Sequence, residues 1–287
     1  MKREHGARLS LLSAMLLFGT IGIFRKYIPL PSGVVACVRG LIGMLFLLLV
    51  MAVRKERFDR RAIRSNFLFL ALSGMLIGVN WVLLFEAYRF TTVATATLCY
   101  YMAPLFVMLA APFVLKERIT WKKIACMLVA FVGMVLVSGV LDAGFSGASE
   151  LTGVLLGLGA AAFYASVVLL NKKIQGISAI SKTAIQLGFA GLTVFPYTLL
   201  AESVTQAPTA PTLLLLLVVG IVHTGLAYTL YFGSMDGLSA QTIVLFSYLD
   251  PIVAILLSVL FLQEPMTLLS AIGAVLILGS TVWSELS

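Results

Sequence analysis

The sequence contains few charged residues. Asp, Glu, Lys and Arg make up 11% of the 287 residues, whereas apolar residues make up 61%. An ordinary soluble domain has about a quarter charged residues, so this composition argues against a soluble protein. The sequence also has only three cysteines, Cys37, Cys99 and Cys126, each within an apolar stretch and without metal-ligand spacing. We therefore expect packing cysteines, with no disulfides, no metal and no cofactor.

Apolar stretches of about 20 residues recur along the whole chain, each long enough to cross about 30 Å of hydrocarbon. We predict ten spans, over 9–29, 33–53, 67–88, 93–115, 120–140, 151–171, 181–201, 213–234, 240–262 and 267–284. Uniformly apolar runs of this length satisfy their backbone in lipid as helices, which predicts an all-α polytopic membrane bundle. The first stretch imitates a secretory signal, but its full span length and the spans that follow favour a first transmembrane helix.

Basic residues cluster before span 1 and between spans 2 and 3, 4 and 5, and 6 and 7. With the N-terminus inside, these segments place 16 of the 20 Lys and Arg on the cytoplasmic side and three outside. The positive-inside rule then predicts cytoplasmic N- and C-termini in a membrane that is, for a bacterium, the cytoplasmic (inner) membrane. The net charge of +8 therefore reflects topology, and we expect a lipid bilayer rather than nucleic acid as partner.

One pattern occurs twice in the chain, 147 residues apart. Tyr101-Met102-Ala103-Pro104 and Tyr248-Leu249-Asp250-Pro251 are followed by Lys116-Glu117-Arg118-Ile119-Thr120 and Gln263-Glu264-Pro265-Met266-Thr267. The loop between spans 4 and 5 is basic, whereas its counterpart between spans 9 and 10 has no Lys or Arg, so the two copies should face opposite ways. We predict two inverted five-span repeats, 1–140 and 151–287, joined by an extracytoplasmic link, 141–150, an organisation typical of transporters.

On these residues the chain resembles the EamA-type, ten-span exporters of the drug/metabolite transporter superfamily. The matching features are the two prolines, the two Glu-x-x-Thr turns, Phe18-Gly19, Arg39 and the Gly-bearing stretches 133–136 and 279–282. The resemblance implies a compact ten-helix bundle with a central cavity and export by alternating access. The second half departs from the first, with Gln186 at the position of Arg39 and Gly233 at that of Glu86.

Four ionisable residues stand out within the membrane part of the predicted spans: Arg39, Glu86, His223 and Asp250. Each costs about 2.5–3.5 kcal/mol at a helix centre, so each is a candidate functional residue. Arg39 and Glu86 lie at similar depth and could pair, or Glu86 could bond Arg89 one turn away. His223 is either a proton-linked cavity residue or a packed histidine bonded to a backbone carbonyl.

Three groups of candidate site residues follow. The predicted substrate-binding residues are the polar and aromatic side chains near mid-depth, Arg39, Asn80, Tyr101, His223, Tyr228, Tyr231 and Tyr248. The predicted coupling residues are Asp250, His223 and Glu86. The predicted gate hinges are Pro104 and Pro251, because each lacks the N–H that would bond one turn back and should bend its helix.

The leading interpretation is a secondary transporter that exports small metabolites, amino acids or drug-like solutes, with proton coupling and oligomeric state left open. No phosphate-binding loop is present to hydrolyse ATP. Uptake or facilitated passage of a small organic solute is the alternative. An enzyme is not expected, because the sequence has no Gly-x-Ser-x-Gly elbow, His-Glu-x-x-His pair or second intramembrane aspartate.

Overall fold

The structure is a computed structural model that describes residues 2–91, 93–138, 148–202, 207–262 and 267–285. All regular elements in these ranges are helices, which confirms the all-α prediction. They are α1 Lys2–Lys26, α2 Ser32–Val53, α3 Arg60–Phe90, α4 Val93–Tyr100, α5 Ala103–Leu115, α6 Trp121–Ser138, α7 Ala148–Lys173, α8 Ala179–Ala201, α9 Ala210–Val218, a π-helical segment Val219–Leu226, α10 Ala227–Ser234, α11 Ala240–Phe246, α12 Leu249–Leu262 and α13 Leu268–Glu285.

Seven segments of the described chain are long and apolar enough to cross a membrane. They are Glu4–Arg25, Ser32–Val53, Arg60–Phe90, Leu98–Leu115, Leu151–Lys173, Ala179–Ala201 and Ala210–Ser234. Seven of the ten predicted spans are thereby confirmed. The other three, 120–140, 240–262 and 267–284, coincide with shorter or interrupted helices and stay predictions.

The two repeated proline patterns each interrupt a helix. α4 ends at Tyr100 and α5 begins at Ala103, while α11 ends at Phe246 and α12 begins at Leu249. Each proline therefore stands in the first turn of the helix that follows the break. The N–H groups of a first turn have no intrahelical partner, so the N–H that proline lacks costs no hydrogen bond. Where we predicted a bent helix, the structure has a two-residue break between two helices. The turn 263–266 and most of the link 141–150 lie outside the described residues.

Helices of the first half pack mainly on helices of the second half. α2 packs on α8, α3 on α7 and α8, and α1 on α10 and α12. The helices approach closely at Gly19 of α1, where a Cβ would lie 2.8 Å from the carbonyl oxygen of Asp250. α6 and α13 pack on each other, and a Cβ at Gly133 would lie 2.7 Å from the carbonyl oxygen of Gly273.

Hydrogen bonds between connecting segments distinguish the two ends of the bundle. We call the end that carries loops 54–59, 116–120, 174–178 and 235–239 the basic face. Asn66 there donates to the carbonyl oxygen of Gln175 at 3.1 Å. At the opposite face, the Glu202 carboxylate accepts from the N–H groups of Gly33 and Val34 at 2.9 and 2.8 Å. These bonds tie the first turn of α2 to the end of α8.

Candidate functional site

A central cavity of about 320 Å³ lies between the two halves. Its walls are rich in aromatic residues and come from both repeats, with Phe18, Arg39, Asn80, Trp81, Tyr100, Tyr101, Pro104, Tyr164, Tyr228, Tyr231, Ser247 and Asp250 among the lining residues. A second cavity of about 510 Å³ reaches the loop after α1 and is lined by Arg25, Ile28 and Ser32. Ile21, Arg39, Phe85 and Tyr88 line both cavities. The two cavities together lead from the centre of the bundle towards the opposite face.

The two helix breaks meet at the inner end of the central cavity. The Tyr101 hydroxyl donates to Asp250 Oδ2 at 3.1 Å. The Tyr248 hydroxyl donates to the carbonyl oxygen of Tyr101 at 3.1 Å, and the two tyrosine rings stack with centroids 6.2 Å apart. Tyr248 is fully buried and supports Tyr101 from behind, which places it outside the cavity lining that the sequence predicted for it. Asp250 is held by a side chain of the other repeat.

A tyrosine wall continues from this point. The Tyr164 hydroxyl donates to the Tyr231 hydroxyl at 2.7 Å, and their rings are nearly parallel at 12°. Tyr100 packs on Tyr164 with ring centroids 5.6 Å apart. Tyr231 was among the predicted binding residues, whereas Tyr100 and Tyr164 were not. Their hydroxyls and ring faces suit a solute that has both polar and apolar parts.

Arg39 lies where the central cavity meets the second cavity. Its guanidinium carbon is 4.2 Å from the ring centroid of Trp81, a cation–π contact. Trp81 Nε1 in turn donates to the Tyr228 hydroxyl at 3.3 Å. Within the described part of the chain, no carboxylate oxygen lies within 4.0 Å of an Arg39 nitrogen, and Arg39 Nε has no hydrogen-bond partner. Arg39 therefore presents an unneutralised positive charge to the cavity.

Glu86 has other partners than Arg39. Both of its carboxylate oxygens accept from Arg89 at 3.0 Å, and the Tyr197 hydroxyl also donates to it. Of the two predicted pairings, Glu86 with Arg39 or Glu86 with Arg89, the structure has the second, because Glu86 and Arg89 face the same side of α3. Glu86 does not line either of the two cavities.

His223 also lies outside both cavity linings. It belongs to the π-helical segment and is 2% exposed. Its Nε2 lies 2.7 Å from Thr20 Oγ1, and its ring packs on Phe24 with centroids 4.7 Å apart. The structure thus shows a packed histidine, with a hydroxyl rather than a backbone carbonyl as the partner of Nε2. The π-helix turns this residue towards α1, and π segments are common at functional sites.

The remaining predicted residues have clear positions. Asn80 lines the cavity and donates to the carbonyl oxygen of Ala160 at 2.7 Å, which fixes α3 against α7. Pro104 lines the cavity in the first turn of α5. Pro251 occupies the equivalent turn of α12, and its side chain lies outside the described part of the structure.

The basic face is closed by polar contacts that sequence reasoning missed. The Glu117 carboxylate accepts from the N–H of Ala240, at the start of α11, at 3.1 Å to each oxygen. Gln241 Nε2 donates to the carbonyl oxygen of Arg118 at 3.2 Å, and Lys123 Nζ donates to Ser239 Oγ at 3.3 Å. Thr120 Oγ1, just before the start of α6, accepts from the N–H of Lys123 at 3.3 Å.

Two lysines add to this closure from the second half. Lys172 Nζ donates to the carbonyl oxygen of Met235 at 2.9 Å. Lys182, fully buried, donates to the carbonyl oxygen of Phe232 at 3.1 Å and lies 3.6 Å from Asp236. This burial could not be predicted from the sequence, because Lys182 stands near a predicted cytoplasmic loop. All these contacts converge on residues 232–241.

Membrane-length helices around a solute-sized cavity, closed at one end and extended towards the other, define a polytopic membrane protein of the transporter class. The sequence model of the EamA-like transporter family matches residues 6–139 and again residues 151–285. The chain therefore belongs to the EamA-like transporter family and is a membrane transporter. Two successive matches fit a bundle built from two inverted repeats.

Similar proteins come from bacteria and archaea. The chain is 29% identical over 285 residues to the uncharacterized transporter YxxF of Bacillus subtilis, covering 96% of this chain and 88% of YxxF. It is 26% identical to an uncharacterized transporter of Archaeoglobus fulgidus, covering 98% and 97% of the two chains. Protein PecM of Dickeya dadantii is 29% identical over 215 residues, covering 74% and 71%. A solved crystal structure superposes with a TM-score of 0.84 at 22% identity over 98% and 96% of the two chains, which shows a shared fold.

Proposed function

We propose that this transporter is a secondary active exporter that binds a small organic solute in the central cavity and moves it by alternating access. The alternative is an uptake carrier or facilitator that uses the same cavity. Metabolites, amino acids and drug-like compounds are the candidate solutes, and protons are the candidate coupling ion. We propose the bacterial cytoplasmic membrane as its location, with both termini inside, because the distribution of Lys and Arg favours this orientation.

The observation that carries this proposal is the asymmetry of the bundle along its axis. Towards the basic face, contacts from Glu117, Lys172 and Lys182 converge on residues 232–241. Towards the opposite face, the central cavity continues into a second cavity that shares Arg39 with it. A path accessible from one side alone is what one half-cycle of alternating access requires.

The cavity residues divide into proposed roles. Arg39, Asn80, Tyr101, Tyr228 and Tyr231 would contact the solute, because each lines the central cavity. The breaks before Pro104 and Pro251 would act as the gate hinges, because a two-residue turn absorbs backbone rotation more easily than a continuous helix.

Asp250 is the proposed coupling residue. It lies at the inner end of the cavity, and within the described residues its carboxylate has the Tyr101 hydroxyl as its hydrogen-bond partner and no cation within ion-pair distance. A carboxylate so placed can exchange a proton or a cationic solute with the cavity. His223 and Glu86 lose support for this role, because each is held by other side chains outside the two cavities.

Purified protein in liposomes tests the proposal. Counterflow of labelled amino acids, organic amines and organic acids should show exchange of at least one solute class above protein-free liposomes. An imposed pH gradient of either sign then tests coupling and direction. Exchange of no solute, with or without the gradient, would contradict the proposal.

A further inference from the structure

The central cavity carries two opposite charges that do not neutralise each other. Asp250 and Arg39 both line it, yet no ion pair between them is present, since no Arg39 nitrogen lies within 4.0 Å of a carboxylate in the described residues. A charge inside a membrane protein that has no opposite charge beside it lowers the stability of the fold, and this applies to both residues. A solute that places an opposite charge beside each of the two residues would offset both losses of stability.

The two charges lie at different depths. Arg39 stands seven residues after the start of α2 at Ser32, about 10 Å along the helix at 1.5 Å per residue. Asp250 stands twelve residues before the end of α12 at Leu262, about 18 Å by the same measure. Both helix ends face away from the basic face, and Asp250 lies farther from its helix end than Arg39 does, so Asp250 is the deeper of the two. Arg39 also lines the second cavity, whereas Asp250 does not.

Each charge has a surrounding that suits one kind of group. The Arg39 guanidinium rests on the Trp81 ring, and its Nε has no partner, which leaves donors in a planar fork suited to a carboxylate. Asp250 is flanked by Tyr101, whose ring stacks on Tyr248. A carboxylate beside aromatic faces suits an ammonium group. Between these ends the lining is aromatic, from Phe18, Tyr100 and Tyr228.

We propose that the transported solute is a zwitterion whose ammonium and carboxylate groups stand at opposite ends of a short apolar body. The ammonium group binds at Asp250, the carboxylate binds at Arg39, and the body lies along the aromatic wall. An α-amino acid carries both charges on one carbon and reaches only one of the two residues. This inference rests on the proposed function and defines its substrate class.

Binding is measured apart from transport, through the fluorescence of Trp81. The other tryptophans, Trp121 and Trp283, are 82% and 53% exposed and are replaced by Phe so that Trp81 reports alone. The probes are 6-aminohexanoate, its isomer leucine, and the single-charge analogues hexylamine and hexanoate. We expect 6-aminohexanoate to bind at least tenfold more tightly than each of the other three, because only it satisfies both charges.

Two variants assign the ends of the solute. Arg39→Gln should raise the Kd of 6-aminohexanoate about 10- to 100-fold, the range for a hydrogen bond to a charged group, and should change the Kd of hexylamine by no more than about twofold. Asp250→Asn should raise the Kd of 6-aminohexanoate by a similar factor and should change the Kd of hexanoate by no more than about twofold. Arg89→Gln is the matched control, since Arg89 is an exposed arginine bonded to Glu86, and it should change none of the affinities.

Three results would overturn the inference: absence of 6-aminohexanoate binding, leucine binding as tightly as 6-aminohexanoate, or equal weakening of all probes by Arg39→Gln. Failure of the proposed function and failure of this inference would give different results. Binding of 6-aminohexanoate without flux in liposomes would remove the transport proposal, whereas flux of solutes without preference for separated charges would remove only this inference.

Discussion

The carboxylate of Glu117 caps the first N–H of α11 at Ala240, 123 residues later in the chain, with 3.1 Å to each oxygen. Glu117 belongs to the turn between α5 and α6, and Ala240 follows the loop between α10 and α11, so the bond joins the two halves at the basic face. A carboxylate at a helix N-terminus is stabilised by the unpaired N–H groups and the helix dipole. Opening of the basic face has to break this contact.

Glu117→Gln should therefore favour opening at the basic face. The amide keeps one acceptor but loses the charge. We expect this to lower the free energy of opening by about 1 kcal/mol, which raises the equilibrium constant for opening about fivefold. The reporter is a single cysteine, Ser247→Cys in the cavity, in a background without Cys37, Cys99 and Cys126. A membrane-impermeant thiol reagent applied from the basic face should label it about fivefold faster in the variant.

The control for this measurement is Glu4→Gln, which removes an exposed carboxylate bonded to Arg8. It should leave the labelling rate unchanged. Equal labelling rates in Glu117→Gln and the parent protein would show that the Glu117 bond does not contribute to closure.

Tyr101→Phe should impair transport, because it removes the hydroxyl that donates to Asp250 at 3.1 Å. A hydrogen bond to a charged group contributes about 1.5–3 kcal/mol, so we expect at least a tenfold lower rate in liposomes and an altered pH dependence. Tyr27→Phe, at a residue 59% exposed, is the control. An unchanged rate and pH profile in Tyr101→Phe would argue against a role for the Tyr101–Asp250 bond.

Trp81→Leu should weaken solute binding without unfolding the protein. The substitution removes the ring under Arg39, at 4.2 Å, and the bond from Nε1 to Tyr228. A cation–π contact contributes about 0.5–2 kcal/mol, which corresponds to a rise in Kd of about 2- to 30-fold, measured by the concentration dependence of counterflow. Trp121→Leu should leave Kd unchanged, and an equal change in both variants would contradict the role of Trp81.

Lys182→Met should destabilise the fold. Lys182 is fully buried, and its ammonium group binds the carbonyl oxygen of Phe232 at 3.1 Å beside Asp236 at 3.6 Å. The variant leaves the buried carbonyl of Phe232 and the exposed carboxylate of Asp236 without this partner, at a cost of about 1–3 kcal/mol, seen as a lower Tm in detergent. Exposed Lys173, changed to Met, is the control, and equal Tm values for the two variants would show that the Lys182 contacts contribute nothing.

The fold could be predicted from the sequence because lipid imposes strict rules on length and polarity. Runs as apolar as 33–53 admit only a spanning helix, and a charge inside such a run is conspicuous, which is why Arg39 and Asp250 were candidate functional residues. The doubled Tyr-x-x-Pro pattern likewise indicated where the two helix breaks occur.

Other parts of the site depend on contacts that a single sequence does not encode locally. His223 turns away from the cavity because its segment is π-helical rather than α-helical, which changes the side that the residue faces. In the sequence, Trp81 and Tyr164 cannot be distinguished from ordinary packing residues. Their place in the cavity follows from the packing of α3 on α7. The bond from Glu117 to Ala240 spans the two halves, so the spacing of residues within one turn could not indicate it.

In the proposed mechanism, the transported solute occupies the cavity between Asp250 and Arg39. Protection of the Ser247→Cys reporter by a transported solute measures this occupancy, because Ser247 lines the same cavity as both charges. With a solute that shows counterflow, added at ten times its half-saturating concentration, labelling should slow about tenfold. The same solute in Arg39→Gln should give much weaker protection at that concentration. An unchanged labelling rate in the presence of a transported solute would contradict the account.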